Sequence, residues 1–176
     1  MNENDARQLM QLTSLEAVAK SIGFKTEIAK INNKHEYNTL YVQLDPDSKD
    51  RKRIMVINFY PASNELENTD LLQFFLQFPF KVEKEPTMEF YNLMCFCNLS
   101  LRLGHINYTA NDKSVFYRYV HAIPAYENIE EENIKETFIL LAYSTLLFEE
   151  TFEKILQAKI SFDEAVNEIL RRQNRS

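Results

Sequence analysis

Glycine is scarce in this chain, which has only two glycines in 176 residues. Gly23 and Gly104 stand far apart, and neither lies in a glycine-rich loop. Loops that cradle phosphate need glycine, because the backbone must approach the phosphate oxygens closely. The sequence therefore excludes nucleotide binding through a P-loop or a Rossmann turn, and we expect no nucleotide cofactor.

Cysteine is equally scarce. The two cysteines, Cys95 and Cys97, are two positions apart in a predicted helix, so their side chains diverge around the helix axis. A Cys-x-Cys pair can supply half of a metal site, but no second Cys or His pair stands at a spacing that completes four ligands. We interpret both residues as buried thiols in a reducing compartment and expect no metal site.

The chain also lacks a basic excess and a long apolar run. Its net charge is −6, and the acidic residues are spread over predicted helices, whereas a nucleic-acid partner usually requires a basic face. No apolar run approaches the roughly 20 residues of a membrane span, and the polar start of the chain has no signal-peptide features. We therefore expect a cytoplasmic protein that binds neither nucleic acid nor a membrane.

Apolar residues, in contrast, are plentiful. They make up 45% of the chain, which is enough to bury a sizeable core without disulfides or metals. We expect a single domain over residues 1–176.

Residue periodicity predicts an α+β fold, in which a three-stranded antiparallel meander and a later hairpin form the sheet and helices pack on it. The predicted strands of the meander cover residues 24–31, 38–45 and 52–60, and the predicted helices cover 13–22, 68–78 and 87–98. Thr13 and Glu16 form a potential capping box for the first helix, and Gly23 marks its end. The state of residues 4–12 is left open.

The hairpin follows, and its turn lies at 110–113. A change of strand phase between Leu103 and Ile106 predicts a bulge at 104–105. The returning strand places Val115, Tyr117 and Tyr119 on one face, and Phe116, Val120 and Ala122 on the other. Both faces are largely apolar, so one of them is available to a helix or a partner.

A long helix is predicted over residues 130–158, with a length of roughly 40 Å. Its apolar positions repeat in alternating steps of four and three, as in a coiled coil: Ile134, Phe138, Leu141, Thr145, Phe148, Phe152 and Ile155. This seam has two interpretations, dimerisation through the helix or a helix that lies across its own sheet. A capping box at Ser161 and Glu164 predicts a final short helix through Ile169.

Few residues suggest chemistry. The three histidines, His35, His105 and His121, come from separate elements, and none lies in a hydrolase or zinc motif. His105 is the best enzymatic candidate, because a residue at a bulge can point into a cleft. The basic cluster at 49–53 is better explained by a solvated hairpin tip or by charges that protect the apolar strand than by nucleic-acid contact.

The order of elements and three local segments resemble the YbjN family, whose members share the fold of type III secretion chaperones. The segments are the helix end Asn98-Leu99-Ser100, the strand around a glycine at Leu103-Gly104-His105-Ile106, and the returning strand Val115-Phe116-Tyr117-Arg118. The resemblance extends over about residues 13–170 and concerns positions that define a fold.

The resemblance implies a type III secretion chaperone-like fold. Such chaperones are dimers that bind unfolded segments of effector proteins on apolar surfaces, without nucleotide and without catalysis. YbjN-like proteins are connected loosely with sensory or stress regulation, and the family offers no catalytic residue to assign. The long heptad-patterned helix departs from the compact chaperone pattern, which leaves the mode of dimerisation open.

We therefore expect a non-enzymatic protein-interaction module without a cofactor, which binds a partner protein in regulation or the stress response. The candidate interface residues are Tyr117, Tyr119, Phe148 and Phe152, and a homodimer is left open. The competing hypothesis is a small enzyme or small-molecule-binding protein with a cleft near His105.

Overall fold

The computed structural model describes residues 3–32, 35–60, 66, 68–125, 127 and 129–174. Its helices are α1 (Glu3–Ser21), α2 (Met88–Ser100), α3 (Glu131–Leu156) and α4 (Phe162–Gln173). Its strands are β1 (Lys25–Ala29), β2 (Thr39–Leu44), β3 (Arg53–Phe59), β4 (Thr69–Lys81), β5 (His105–Thr109) and β6 (Ser114–Pro124). No helix in the described part of the chain combines the length and hydropathy that a membrane crossing requires.

All six strands form one antiparallel sheet in the order β1-β2-β3-β4-β6-β5. The predicted α+β class, the meander of β1 to β3 and the hairpin of β5 and β6 are confirmed. β4, which was not predicted as a strand, joins the meander to the hairpin. The result is one continuous sheet with four helices packed on it.

β4 shows that the predicted helix over 68–78 is wrong. Its even-numbered residues from Asp70 to Phe80 are buried, as in a strand with one face on the core. The segment also satisfies a helical pattern, because Leu71 and Phe75 on the other face are apolar as well. Pairing with β3 on one side and β6 on the other decides the conformation, since such long-range pairing overrides local preference.

α1 is longer than predicted and includes residues 4–12. Thr13 lies inside the helix, where its hydroxyl donates to the Leu9 carbonyl at 2.8 Å, so the predicted capping box is wrong. Glu16 instead accepts a hydrogen bond from Thr26 of β1 at 3.0 Å. Gly23 has a φ of 95°, as expected of a residue that ends a helix.

The predicted bulge at 104–105 is also wrong, because β5 pairs with β6 in an unbroken register. Glycine is needed at position 104 for two reasons. The φ of Gly104 is 65°, which disfavours residues with a side chain. A Cβ atom there would also lie 2.6 Å from both the Arg118 carbonyl oxygen and the Tyr117 hydroxyl.

The predicted starts of α2 and α4 are confirmed, whereas α4 continues to Gln173, beyond the predicted end at Ile169. α2 matches the predicted helix over 87–98 to within two residues. α4 begins at the predicted capping box, in which Ser161 and Glu164 exchange both expected hydrogen bonds. α4 packs against α2 and α3.

α3 lies across the sheet. Its heptad seam is buried throughout, from Ile134 to Ile155. Phe138 meets Phe74 edge-on at a centroid distance of 5.8 Å, and Phe152 meets Phe78 at 6.0 Å. The chain's own sheet therefore occupies the seam, which confirms the second interpretation and leaves no seam for a partner helix.

The helices share one side of the sheet. α1 contacts β1, β2 and β3, α2 contacts β5, and α3 contacts β4 through the aromatic pairs just described. On this side the residues of the central strands are buried, as Leu40 and Ile57 illustrate. Within the described residues, no helix covers the opposite side.

A buried ion pair fastens α3 to the sheet. Arg53 of β3 donates to Glu149 of α3 at 2.8 Å and to the Thr145 hydroxyl at 2.6 Å. Next to this pair, Arg51 forms ion pairs with Asp47 at 2.6 Å and Glu153 at 2.7 Å. The basic cluster at 49–53 is therefore not a solvated hairpin tip, because its arginines bind the helical layer.

The Glu149 carboxyl is only half satisfied. Its Oε1 accepts from Arg53, whereas its buried Oε2 has no hydrogen-bond partner among the described residues. Burial raises the pKa of Glu149 from 4.5 to about 7, despite the attraction of Arg53. The folded state therefore retains this proton at pH values where the unfolded chain has lost it.

We predict that the wild type loses stability relative to Glu149→Gln as the pH rises from 4.5 through about 7. The folded state favours the protonated Glu149 carboxyl. This preference stabilises the protein at low pH, and the stabilisation disappears as Glu149 of the folded protein loses its proton. The loss amounts to about 3 kcal/mol, at 1.36 kcal/mol per pKa unit. Urea unfolding of both proteins across this pH range measures it.

The comparison isolates Glu149, because the groups that face it are unchanged in the variant. These are Arg53 of β3, Asp47 and Arg51 of the preceding loop, and Glu150 and Arg172, which line the adjoining cleft with Glu149. A constant difference in unfolding free energy across the pH range contradicts the prediction.

Candidate protein-interaction surface

The side of the sheet that faces away from the helices is the candidate site, and we call it the open face. It consists of the odd-numbered residues of β1, β2, β4 and β5, the even-numbered residues of β3 and β6, and the flanking Lys52 and Tyr60. Paired residues of antiparallel strands lie on the same side, so the sheet register defines this set. Most of these side chains are half-buried or exposed.

The open face contains an apolar cleft between β2, β3 and β4. The cleft has a volume of 490 Å³, and its lining includes Tyr41, Ile54, Val56, Phe75 and Pro79. Ile54 is 43% exposed although it lies in a central strand. Large apolar groups in a solvent-facing depression of this kind mark interaction surfaces more often than isolated exposed residues do.

Beside the cleft, Phe75 of β4 stacks on Phe116 of β6 at a centroid distance of 5.1 Å. The two rings extend the apolar area from the cleft towards the hairpin. Val120 and Ala122 continue it along β6, opposite Gln73 and Leu71. The apolar area therefore crosses three neighbouring strands.

A row of polar side chains crosses the same face. Arg118 of β6 donates from Nε to the Gln73 side-chain oxygen at 2.7 Å, and Gln73 donates to Asn58 at 3.3 Å. The Arg118 guanidinium lies over the Tyr60 ring, 5.1 Å from its centroid, in a cation–π contact. Arg118 thus extends from β6 across β4 to the end of β3.

The open face is positively charged, although the whole chain has a net charge of −6. Its described cations are Lys25, Lys52, Lys81 and Arg118, and its described carboxylate is Glu27. This local excess is small compared with that of a nucleic-acid-binding surface, which neutralises many phosphates. Charges at a protein surface affect the specificity of association more than its strength.

His105, the enzymatic candidate of the sequence analysis, lies on the open face at the sheet edge, opposite Arg118 in the register. Burial, with the nearby Arg118 charge, lowers the pKa of His105. Its side chain makes no hydrogen bond to any described residue. His105 lines none of the clefts found among the described residues, and the charged group beside it, Arg118, is a guanidinium that does not act as a general base.

The predicted interface residues require a correction, because the structure places three of them in the core. Tyr117, Phe148 and Phe152 are at most 2% exposed. Tyr119 is half-buried on the same side and packs on Phe74 at 5.8 Å. The alternation predicted for β6 is confirmed, but the side that remains uncovered is that of Phe116, Val120 and Ala122.

Two further clefts of similar volume lie in the helical layer. One, of 420 Å³, lies between α2, α3 and α4 and is lined by Leu101, Leu140 and Tyr143 among others. The other, of 340 Å³, adjoins the buried ion pair and is lined by Glu149, Glu150 and Arg172 among others. In the second cleft, Arg172 pairs with Glu150 at 2.7 Å.

The cysteines lie in α2 with different exposures. Cys97 is buried, and burial raises the pKa of its thiol. Cys95 is exposed, which corrects the expectation that both thiols are buried. Within the described ranges, no group of three or more His, Cys, Asp or Glu side chains could hold a metal ion.

The outer edge of β5 is blocked by a side chain of α2. The Asn98 amide donates to the Ile106 carbonyl at 2.9 Å and accepts from the Ile106 N–H at 2.7 Å. Asn98 thus takes the place of a neighbouring strand at Ile106, which is one way in which proteins protect a sheet edge. Sequence analysis singled out Asn98 only as a helix end.

Comparison with known proteins gives no match: no protein-family model, no curated protein and no solved structure is significantly similar to this chain. The resemblance to the YbjN family is therefore not supported by these comparisons. The fold shown is α+β, with a six-stranded antiparallel sheet and four helices.

We predict that Asn98→Leu destabilises the protein by roughly 2 to 4 kcal/mol, because it leaves the fully buried Ile106 with two unpaired backbone groups. Asn98→Asp retains the acceptor and should cost less. Chemical denaturation measures both changes, and amide exchange at Ile106 should accelerate. Leu99→Ala, one residue away on a side chain that is 88% exposed, is the control; an equal loss there contradicts the role of Asn98.

Tyr117→Ser should destabilise the protein by about 3 to 5 kcal/mol, since it removes a core ring and the hydrogen bond from the Tyr117 hydroxyl to the Leu103 carbonyl. Thermal unfolding followed by circular dichroism tests this. An unchanged midpoint would show that Tyr117 lies outside the core. If the variant is destabilised as expected, a loss of partner binding in Tyr117→Ser would reflect unfolding and would not show that Tyr117 lies at an interface.

Proposed function

We propose that this protein is a non-enzymatic interaction module that holds a partner polypeptide against the open face of its sheet. One observation carries the proposal: an apolar cleft and an aromatic pair lie on a sheet face that no described helix covers. Sheets usually bury their apolar faces, and an open antiparallel face is usually polar. The outward apolar residues of β3, β4 and β6 depart from that pattern.

Burial of such residues would favour association. Removing an apolar side chain of this size from water contributes roughly 1.5 to 3 kcal/mol. Tyr41, Val56, Phe75 and Phe116 are half-buried already, so a partner would complete the burial of a surface that is prearranged by the sheet. A rigid surface of this kind keeps the entropic cost of binding low.

The structure favours packing on the face over addition of a strand to an edge. Asn98 occupies the edge of β5 at Ile106. At the other edge, β1 is five residues long and carries Lys25 and Glu27, and short charged edges discourage strand addition. The partner would therefore contribute side chains to the open face instead of pairing its backbone.

The resemblance to YbjN-like proteins and type III secretion chaperones agrees with this proposal, since those chaperones hold other polypeptides on apolar surfaces. We extend the proposal accordingly to a partner in regulation or the stress response. A homodimer would have to use a surface other than the α3 seam, because the sheet occupies that seam.

Photo-crosslinking in the native cell tests the proposed surface. A benzoylphenylalanine replaces Tyr41, which lines the cleft, or Tyr143, which is 44% exposed on α3. Both positions are tyrosines, so the substitution perturbs each site similarly. We expect a discrete cross-linked protein from position 41 and none from position 143. The same product from both, or product from position 143 alone, would place binding elsewhere.

Val56→Asp should abolish the cross-link from position 41, because it introduces a charge into the apolar cleft. Ile139→Asp places the same charge on an α3 side chain that is 53% exposed, and it should leave the cross-link unchanged. Circular dichroism of both variants confirms that the fold is retained. A cross-link that survives Val56→Asp counts against the open face.

A further inference from the structure

We infer that Arg118 is an anchor for a carboxylate, so that the occupant of the open face is an acidic and apolar segment of another protein. This inference rests on the proposed function and specifies the chemistry of the partner. It follows from the geometry of Arg118 and from the charge of the surrounding face.

Arg118 is fixed in position before any partner binds. Gln73 holds its Nε at 2.7 Å, and the Tyr60 ring lies against the guanidinium at 5.1 Å. Gln73 is held in turn by Asn58 at 3.3 Å. Because these contacts restrict the side chain, binding would cost less conformational entropy than it does for a free arginine.

The hydrogen-bonding capacity of Arg118 is only partly used. Its Nε has a partner, whereas its two Nη atoms make no hydrogen bond or ion pair with any described residue. The guanidinium fork matches the two oxygens of a carboxylate, and hydrogen bonds between charged groups are stronger than neutral ones. Among the described residues, Arg118 therefore presents donors without a partner in the middle of an apolar surface.

The neighbours of Arg118 indicate what flanks that carboxylate. Phe75 is its register partner on β4, and Phe75 stacks on Phe116 at 5.1 Å. The apolar cleft at Val56 lies on the other side of Phe75. A ligand that reaches both features needs apolar side chains beside its acidic group, as a peptide segment provides.

Charge also disfavours a second copy of this chain as the occupant. Pairing of two open faces would bring together two sets of cations, each with four positive groups and one described carboxylate. Like charges across an interface oppose association. A phosphorylated ligand is less suitable as well, because phosphate sites usually combine several cations and Arg118 is the one guanidinium on the described open face.

A random peptide library displayed on phage, panned against the purified protein, tests the inference. We expect selected peptides that contain Asp or Glu among aromatic or aliphatic residues. Selection on Arg118→Gln should lose the acidic enrichment, and selection on Arg102→Gln should retain it. Arg102 is a suitable control, because it is an exposed arginine that lines the cleft of the helical layer.

The decisive measurement is a double-mutant cycle with one selected peptide and its Glu→Gln or Asp→Asn counterpart. Removing either the peptide carboxylate or Arg118 should weaken binding about tenfold, as expected for a charged hydrogen bond. Removing both should cost little more than removing one. Circular dichroism verifies the fold of each variant.

The outcomes separate the two proposals. Peptides that lose binding in Val56→Asp but show no acidic enrichment and no coupling to Arg118 overturn the carboxylate anchor and leave the open face as a docking surface. Peptides that bind Val56→Asp as well as the wild type overturn both. A dimer in light scattering that dissociates in Val56→Asp assigns the face to a second copy and also overturns the inference.

Discussion

The pairing of β4 with two neighbours is the interaction on which the rest of the structure depends. β4 forms hydrogen bonds with β3 on one side and β6 on the other, and so joins the meander and the hairpin into one sheet. Its even-numbered residues bind the helices, and its odd-numbered residues form the middle of the open face. Without this strand there would be two small sheets, and neither the cleft nor the polar row would exist.

The sidedness of the molecule follows from how α3 is attached. Burial of apolar surface alone is non-directional, but the Arg53–Glu149 pair connects a particular point of β3 to a particular turn of α3. Buried pairs of this kind contribute little net stability, because desolvation offsets much of the attraction. Their effect is on orientation, since a displaced helix would leave both charges unpaired. The pair thus favours one position of α3 on the sheet, and the opposite side stays uncovered.

The sequence predicted the elements whose pattern fits a single type of secondary structure. β2 alternates strictly, α4 opens with a complete capping box, and the α3 seam has the spacing of a helix with one buried side. β4 could not be recognised as a strand from its own sequence. Leu71 and Phe75 make its second face apolar as well, so the alternation of a strand is lost and the pattern also fits a helix. The long-range pairing that decides its conformation involves β6, which lies far along the chain.

The candidate surface was missed for a related reason. Alternation in β6 separates two sets of side chains, but it does not say which set the helices cover. Tyr117 and Tyr119 looked suitable for contact because they are large and amphipathic. Those same properties suit the side that the helices cover, where the Tyr117 hydroxyl donates to the Leu103 carbonyl and the Tyr119 hydroxyl pairs with Nδ1 of His121. The roles of Arg118 and Asn98 also depend on partners in other elements. Arg118 is held by Gln73 of β4, and Asn98 pairs with Ile106 of β5.

An exposed apolar sheet face is a hazard, and the way this hazard is limited supports a selective role for the surface. Asn98 blocks the β5 edge, so that aggregation by strand addition is hindered there. Arg118 interrupts the apolar area at its centre. Any partner that covers Arg118 would remove its water, and only a partner with a group that pairs with the guanidinium would compensate for that loss. The cost of burying an unpaired guanidinium disfavours purely apolar partners. Under the proposed function, the residue that strengthens binding of a matching segment would therefore weaken binding of the many polypeptides that do not match.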